Sequence, residues 1–139
     1  MSKSIFLFKL NDNFKSLLKE NNIDIILEIF CRAISSNFYK EQFHLIIDEI
    51  NEEIIKNNIY NFFKNNDNFF IEKNSFIIHN IYKDNNEIIY FNKNYVNIIY
   101  EENSLFLDYL NTFFIDLIAI NLKEKKIYSL HLVKNNILV

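Results

Sequence analysis

Three histidines, one cysteine and several carboxylates are the residues of this chain that could do chemistry. A metal ion could in principle be held by His44, His79 and His131 together with an acidic side chain. No two of these histidines have the i,i+4 spacing of the H-E-x-x-H helix motif or the pattern of a zinc finger. Histidines scattered in this way are usually unrelated, so the sequence predicts no metal site.

Cys31 is the only cysteine of the chain, which excludes an internal disulfide and a cysteine-based zinc site. Together with a histidine it could form a nucleophile and its base. Its neighbours Phe30 and Ala33 belong to an apolar helical pattern, however, in which a thiol usually behaves as a small buried hydrophobic group. We therefore expect Cys31 to be buried and not catalytic.

Glycine, proline and tryptophan are absent from the sequence, whereas asparagine, isoleucine, lysine and phenylalanine are abundant. This composition is typical of an AT-rich genome, so the asparagine runs need no functional interpretation. The lack of glycine has a chemical consequence, because phosphate-binding loops and dinucleotide turns depend on the backbone freedom that glycine supplies. Walker, Rossmann and G-x-S-x-G sites are thus excluded, and no cofactor is expected.

Four acidic residues cluster on one side of the helix predicted over Phe38–Lys64, namely Asp48, Glu49, Glu52 and Glu53. Their like-charged i,i+4 pairs would each destabilise a helix by a few tenths of a kcal/mol, which the pairing of Glu52 with a lysine one turn later partly offsets. A basic partner would relieve this repulsion and would be steered toward such a field. These four residues are the predicted partner-binding residues, although an acidic helix face is also typical of an ordinary solvated surface.

The formal net charge of -3 and the pI near 5.6 argue against nucleic acid as a partner and favour a basic protein. A second acidic pair, Glu101 and Glu102, is typical of a solvated surface. The aromatic residues between Tyr82 and Tyr100 could form a base-stacking platform, but without an excess of arginine and lysine they are better explained by sheet packing.

The N-terminal run Ile5–Phe8 is too short for a signal peptide, so we expect a cytoplasmic protein without a membrane segment.

The hydrophobic pattern of the first half of the chain predicts mainly helices. The run Ser4–Leu10 fits either a strand or a helical turn, and we favour a strand because Asn11–Asn13 is a natural helix cap. The predicted helices are Phe14–Glu20, Ile23–Ser35 and Phe38–Lys64. In the longest of them, Phe43, Ile47 and Ile50 repeat at helical spacing.

Short runs of β-branched and aromatic residues in the second half predict strands, separated by turns of asparagine, aspartate and lysine that favour hairpins in place of glycine. The three runs are Phe76–Tyr82, Ile88–Phe91 and Tyr95–Tyr100. After an N-cap at Asn103 or Ser104, apolar residues at helical spacing predict a helix over Leu105–Leu122. One or two closing strands are predicted at Ile127–Val133 and Ile137–Val139.

These elements predict one domain, residues 1–139, of the α+β class. N-terminal helices are followed by a mainly antiparallel β-meander, on which the Leu105–Leu122 helix packs, and by a closing C-terminal strand. Apolar side chains cover most of the circumference of that helix, so we expect a second element or a partner on its other side. The rival prediction is an all-α bundle of the viral type that sequesters host death-signalling helices in a groove.

The order of elements in the stretch Ser75–Leu122 resembles the C-terminal half of the SUKH superfamily of bacterial immunity proteins and their viral relatives. A strand and a charged turn are followed by the segment Asn94–Val96, and then by a helix start, Asn103–Leu110, that is similar to the family's N-S-L-x-x-F-L pattern. The match covers about a third of the chain. The N-terminal half departs from the family, whose turns usually contain proline and glycine.

The resemblance implies an α+β fold and a non-enzymatic protein that neutralises a toxin, often a nuclease, by binding it. The family's contacts vary too much to be carried over residue by residue, so the four acidic residues are predicted from charge alone. The alternative is a viral or phage protein that binds and blocks a host factor, and an enzyme is the competing class. An enzyme would need a pocket where at least two of Cys31, His44, His79, His131 and nearby carboxylates meet within hydrogen-bond reach.

Overall fold

The computed structural model describes residues 2–13, 23–113 and 117–129, which form four helices and eight strands. The strands are β1 (Lys3–Leu10), β2 (Ile47–Asp48), β3 (Phe69–Glu72), β4 (Ser75–Asn80), β5 (Asn85–Phe91), β6 (Val96–Tyr100), β7 (Leu117–Asn121) and β8 (Lys126–Ser129). The helices are α1 (Ile23–Ala33), α2 (Asn37–Ile46), α3 (Glu52–Phe63) and α4 (Leu105–Phe113). The fold has the predicted α+β class, and the all-α bundle is therefore wrong.

All eight strands belong to one antiparallel sheet in the order β3-β4-β5-β6-β1-β7-β8, with β2 paired to the end of β1. β1 lies between β6 and β7, because Lys3–Leu7 pair with β6 and Phe6–Lys9 pair with β7. The run Ser4–Leu10, which the sequence left open between a strand and a helical turn, is thus a central strand of the sheet. The favoured interpretation of this run is confirmed.

β1 is buried on both of its faces. Ile5 and Leu7 lie in a core on one face, the first core, whereas Phe8 and Leu10 lie in a second core on the opposite face. β7 is equally covered, since every residue from Leu117 to Asn121 is buried. In a strand that is buried on both faces, apolar residues follow one another without alternating polar residues. Periodicity alone therefore could not decide whether this run is a strand or a helix.

Helices cover the two faces of the sheet to different extents. α3 and α4 lie over the first core, where Phe63 and Phe106 pack with buried residues of β1, β4, β5, β6 and β7. α1 and α2 lie over the second core, where Phe30 and Phe43 pack with β1, β2 and β7. Among the described residues, the buried members of this second core include none from β4, β5 or β6. The second face is thus covered only in part.

The predicted helix Leu105–Leu122 is wrong beyond α4, which ends at Phe113, because the chain continues as β7. From Leu117 onward, the apolar residues expected around a helix instead form the two faces of a strand. Leu117 and Ala119 lie in the first core, and the two isoleucines of β7 lie in the second. Apolar residues on every side fit a buried helix and a buried strand equally well, so the pattern could not separate them.

The predicted helix Phe38–Lys64 is also wrong as a continuous element, because β2 separates α2 from α3. The chain passes from one face of the sheet to the other at this point, since Ile47 lies in the second core and Ile50 in the first. The break is fixed by the pairing of β2 with β1 and by a hydrogen bond from Ile50 N to Lys93 O at 2.8 Å. The helical spacing of these isoleucines is therefore a coincidence.

Several other predicted elements are confirmed. α1 matches the predicted Ile23–Ser35 helix, β4 to β6 form the predicted meander, and Ser104 caps α4. β8 occupies the start of the predicted strand Ile127–Val133, whereas the sequence pattern does not predict β3. The predicted helix Phe14–Glu20, the end of the Ile127–Val133 strand and the strand Ile137–Val139 lie outside the described residues. None of the described helices is long and apolar enough to cross a membrane.

Asn111 lies on α4 and is only 8% exposed, and its side-chain Oδ1 has no hydrogen-bond partner within the described part of the chain. A buried polar group without a partner costs about 1–3 kcal/mol. Because leucine has a similar size and no polar atom, we expect Asn111→Leu to raise the free energy of unfolding in urea by about 1 kcal/mol. The control is Asn57→Leu at an exposed position of α3, which should change this free energy by less than about 0.5 kcal/mol. A loss of stability in Asn111→Leu would show that the amide is needed.

Candidate functional site

The four predicted partner-binding residues do not share one helix face. Asp48 belongs to β2, where its carboxylate accepts a hydrogen bond from Asn11 Nδ2 at 3.1 Å. Glu49 is exposed between β2 and α3, and Glu52 and Glu53 form the first turn of α3. The predicted i,i+4 repulsion along one helix is therefore wrong, because the helix is interrupted between these residues.

The position of Glu52 and Glu53 has a structural explanation. Carboxylates in the first turn of a helix are favourable, because the helix dipole places partial positive charge there. Glu52 also pairs with Lys56 one turn later, at 3.8 Å, as the sequence suggested. A role of these acidic residues in partner binding stays a prediction. The repulsion between like charges on one helix, which motivated this prediction, is not present.

The described histidines lie on different elements. His44 is on α2, with its Nε2 3.1 Å from Asn94 Nδ2, and His79 is on β4, with its Nδ1 2.7 Å from Asn86 Oδ1. His131 lies outside the described residues. Within the described ranges, no group of three or more His, Cys, Asp or Glu side chains is placed to hold a metal ion.

Cys31 is exposed, so the expectation that it is buried is wrong. The buried residues of α1 are Ile26, Leu27, Phe30 and Ala33. Cys31 follows Phe30 by one residue, and successive residues of a helix point about 100° apart, so its side chain turns toward solvent. Neighbouring apolar residues in the sequence did not show on which side of the helix the thiol lies.

A buried carboxylate that the sequence did not single out lies where α4 meets the sheet. Glu87 of β5 is 8% exposed and accepts three hydrogen bonds, from Ser104 Oγ at 2.9 Å, Leu105 N at 2.9 Å and Phe106 N at 3.0 Å. Ser104 Oγ in turn accepts a hydrogen bond from Leu107 N at 3.0 Å. Each of the first three backbone N–H groups of α4 thus has an acceptor. For the first two, this acceptor is the carboxylate of Glu87 on strand β5.

The electrostatics of Glu87 follow from this position. Burial raises the pKa of the Glu87 carboxyl above its ordinary value of 4.5, although the hydrogen bonds from Phe106, Leu105 and Ser104 act in the opposite direction. A carboxylate at a helix N-terminus is also favoured by the helix dipole. Glu87 is thus a buried titratable group whose oxygen atoms join α4 to the sheet.

A cavity of about 300 Å³ opens beside Glu87, at the end of the β4–β5 hairpin. We name it the hairpin cavity. Its walls come from the turn before β3, from the hairpin and from the segment that leads into α4. The charged or titratable residues that line it are His79, Lys83, Glu87, Glu101 and Glu102. Of the apolar residues at the cavity, Ile81, Tyr82 and Leu105 are exposed, whereas Ile78 is buried.

The turn between β4 and β5, residues 81–84, is named the hairpin tip. Asn80 Oδ1 accepts hydrogen bonds from Tyr82 N at 3.0 Å and Lys83 N at 3.2 Å, and Asp84 has a positive φ of 49°. Lys83 Nζ donates to the Glu102 carboxylate, which lowers the pKa of Glu102. These bonds hold the tip in a defined conformation, because an asparagine side chain that accepts from the following N–H groups mimics a backbone turn.

A second surface lies on the face of the sheet that carries the second core. Phe70, Ile77, Ile88 and Ile99 are direct neighbours across β3, β4, β5 and β6 in the strand register, and Tyr90 lies on the same face. We name these five residues the open face. Phe70 is 52% exposed and Tyr90 43% exposed, and the three isoleucines are partly exposed. None of the helices in the described ranges contributes a buried residue to this part of the face.

Comparison of the chain with known protein families finds no family model that matches, and comparison with curated proteins finds no match either. The resemblance to the SUKH superfamily therefore stays a prediction.

The hydrogen bonds of Glu87 predict a local effect on α4. In Glu87→Ala, the N–H groups of Leu105 and Phe106 lose their acceptor, so we expect the free energy of unfolding to fall by about 2 kcal/mol. Hydrogen exchange of these two amides should accelerate. The control is Glu41→Ala at an exposed position of α2, which should change neither quantity appreciably. Equal stability of the two variants would mean that the cap contributes nothing.

The raised pKa of Glu87 predicts the sign of a pH effect. The folded protein binds this proton more tightly than the unfolded chain, so the associated stability is fully present below pH 4.5 and is lost as the pH rises through the pKa of the folded state. Urea unfolding of the wild type and of Glu87→Gln should be compared between about pH 4 and pH 8. We expect the wild type to lose stability relative to the variant as the pH rises. A difference that is constant, or that grows in favour of the wild type, would contradict this assignment.

Proposed function

We propose that this chain is a small, non-enzymatic binding protein, most concretely an immunity-type inhibitor that neutralises a toxin by direct protein–protein contact. The proposed location is the cytoplasm, and the proposed partner is a basic protein. The observation that carries the proposal is the open face of the sheet, where apolar side chains of four adjacent strands remain exposed or partly exposed. A binding function explains this surface without requiring any chemistry.

The open face has the properties of a recognition surface. Soluble proteins rarely expose contiguous apolar patches, and larger ones mark interaction sites. The row from Phe70 to Ile99 is aligned by backbone pairing, so its side chains keep their positions in the absence of a partner. A surface that is already ordered loses little conformational entropy on binding.

The composition of the open face fits the usual anatomy of an interface. Its centre is formed by aliphatic and aromatic groups, and Asn86 and Asn97 on the same side of the sheet supply polar groups beside them. Interfaces combine such an apolar centre with a polar rim, and aromatic residues are enriched in them. Tyr90 provides both a ring and a hydroxyl at this position.

The contacts of the histidine and the buried carboxylate at the hairpin cavity support a function without catalysis. His79 and Glu87 both line the hairpin cavity, but each already has structural partners. Both Glu87 oxygen atoms accept hydrogen bonds from the start of α4, and His79 Nδ1 is within hydrogen-bond distance of Asn86 Oδ1. A general base needs an acceptor atom that is directed at a substrate. These contacts favour a structural role for Glu87, whereas the other ring nitrogen of His79, Nε2, lies 3.6 Å from Asp84 Oδ1.

The start of α4 supports the proposed relation to the SUKH superfamily. The resemblance depends on the segment Asn103–Leu110, and in the structure this segment begins a helix directly after the meander. Ser104, the serine of the N-S-L pattern, caps this helix. The pattern therefore coincides with a defined structural feature, the junction between the sheet and α4.

The proposal is tested by co-expression with the product of the gene immediately upstream in the source genome. If the chain is an immunity protein, that product should arrest bacterial growth when expressed alone, and the chain should restore growth and co-purify with it. Tyr90→Glu on the open face should weaken the rescue, because a charge would be buried in the interface. Tyr60→Glu, at a tyrosine of similar exposure on α3, is the matched control and should still rescue.

Two outcomes would count against this function. An upstream product that is harmless, or a toxic product that the chain does not neutralise, would contradict the immunity proposal. A gene neighbourhood composed of phage or viral genes would favour the alternative, a protein that blocks a host factor.

A further inference from the structure

We propose that the hairpin tip and the hairpin cavity together form the site that receives a cationic side chain of a basic protein partner. Tyr82 supplies the aromatic contact, and the carboxylates at the cavity supply the charge. This inference rests on the proposed function, because it assumes that the chain binds a protein. It places the charge-dependent contact at the tip and not at Asp48, Glu49, Glu52 and Glu53.

The first argument is the exposure of the tip. Tyr82 is 100% exposed and Ile81 is 63% exposed, although both belong to a turn that Asn80 holds in place. A free protein gains nothing from an aromatic ring in full contact with water. Tyrosine is among the residues that most often dominate binding energy when a partner covers them. A fully exposed tyrosine on a turn whose backbone is held in place is therefore positioned to contact a partner.

The second argument is the space behind the tip. The hairpin cavity has a volume of about 300 Å³ and is lined by residues on both sides of the β4–β5 hairpin. A partner side chain could enter it while the ring of Tyr82 covers the side chain's stem. Leu105 adds an exposed apolar wall at the start of α4. An anchor that fills a pocket at the centre of a contact is typical of tight protein interfaces.

The third argument is the sign of the charge. Three carboxylates, those of Glu87, Glu101 and Glu102, line the cavity together with the ammonium group of Lys83. Counted formally, with each carboxylate as −1, lysine as +1 and histidine left out, the lining has a charge of 1 − 3 = −2, and both oxygen atoms of Glu87 are hydrogen-bonded to the start of α4. Asp84 adds a further carboxylate at the tip, whereas the pKa of Glu102 is lowered by Lys83 and, more weakly, by Lys3 and the amino terminus. The remaining negative charge favours a cation as the occupant.

Arginine fits this combination better than lysine. Its planar guanidinium group stacks on aromatic rings and forms two hydrogen bonds with one carboxylate. An arginine that enters the cavity would meet Glu101 and Glu102 and could stack on Tyr82. Lys83, which pairs with Glu102 in the free protein, would then exchange its partner for the incoming guanidinium or turn to solvent.

The test uses the whole protein and an oligo-arginine peptide as the probe, followed by NMR chemical shifts and by isothermal titration at low salt. We expect the largest shift changes at the backbone amides of the hairpin tip and of Glu101 and Glu102. Tyr82→Ala should weaken binding at least about threefold, and Tyr82→Phe should retain most of the affinity. Glu101→Gln combined with Glu102→Gln should weaken binding at least about fivefold.

Two control variants separate this site from the other surfaces. Replacing Asp48, Glu49, Glu52 and Glu53 by glutamine removes more charge than the Glu101 and Glu102 pair, yet it should change the affinity by less than about twofold. Tyr90→Ala on the open face should leave peptide binding unchanged. Because Tyr82 is fully exposed, Tyr82→Ala should unfold at the same urea concentration as the wild type.

The outcomes of the peptide test do not depend on the co-expression test. Strongest shifts around Glu49 and Glu53, or unchanged affinity in both Tyr82→Ala and the Glu101 and Glu102 variant, would overturn the inference. Peptide binding at the tip with no rescue of growth would leave the inference standing and contradict the immunity function. Rescue of growth that is unaffected by Tyr82→Ala, without peptide binding at the tip, would contradict the inference and leave the immunity function standing.

Discussion

The structure depends on the burial of β1 on both faces. A strand in this position requires a neighbour on each edge and a cover on each side, because its backbone groups and its apolar side chains must all leave water. β6 and β7 supply the edges, and pairs of helices supply the covers. β4, β5 and β6 receive a helical cover only on the first face among the described residues, and the open face follows from this difference.

Glu87 shows how a polar interaction connects these layers. Its strand belongs to the sheet, and its carboxylate binds the first N–H groups of a helix that packs on the same sheet. The buried charge is acceptable because it meets several donors and the positive end of a helix dipole. The same arrangement brings the segment that contains Glu101 and Glu102 close to the hairpin, so a structural interaction also forms one wall of the hairpin cavity.

Local patterns in the sequence predicted those elements that have a clear apolar side or clear turn residues at their ends. α1 has one apolar side, and the meander has turn residues between short strands, so both were predicted correctly. The N-cap at Ser104 was among the two candidates for the same reason, because capping depends on residues a few positions apart. For Ser4–Leu10, a strand was favoured over a helical turn only because helix-cap residues follow this run.

Long-range features could not be predicted in this way. β7 is apolar on every side, which is also the pattern of a buried helix, and only its neighbours β1 and β8 show that it is a strand. The break at Ile47 results from pairing with Leu10, far away in the sequence. Glu87 caps a helix that begins at Leu105, and no local spacing connects these two positions. The hairpin cavity combines segments that are separate in the sequence, so it was missed for the same reason.

The position of β1 in the chain also has a consequence for the order of folding. β1 is made long before its two main neighbours in the sheet, since Lys3 pairs with Tyr100 and Lys9 with Leu117. Contacts between residues so far apart in the sequence slow folding, because a long loop must close before they form. During synthesis the apolar first strand therefore leaves the ribosome well before β7, and until then one of its edges lacks its native partner. The nascent chain consequently exposes an apolar strand edge, a feature that makes incompletely folded chains prone to aggregation.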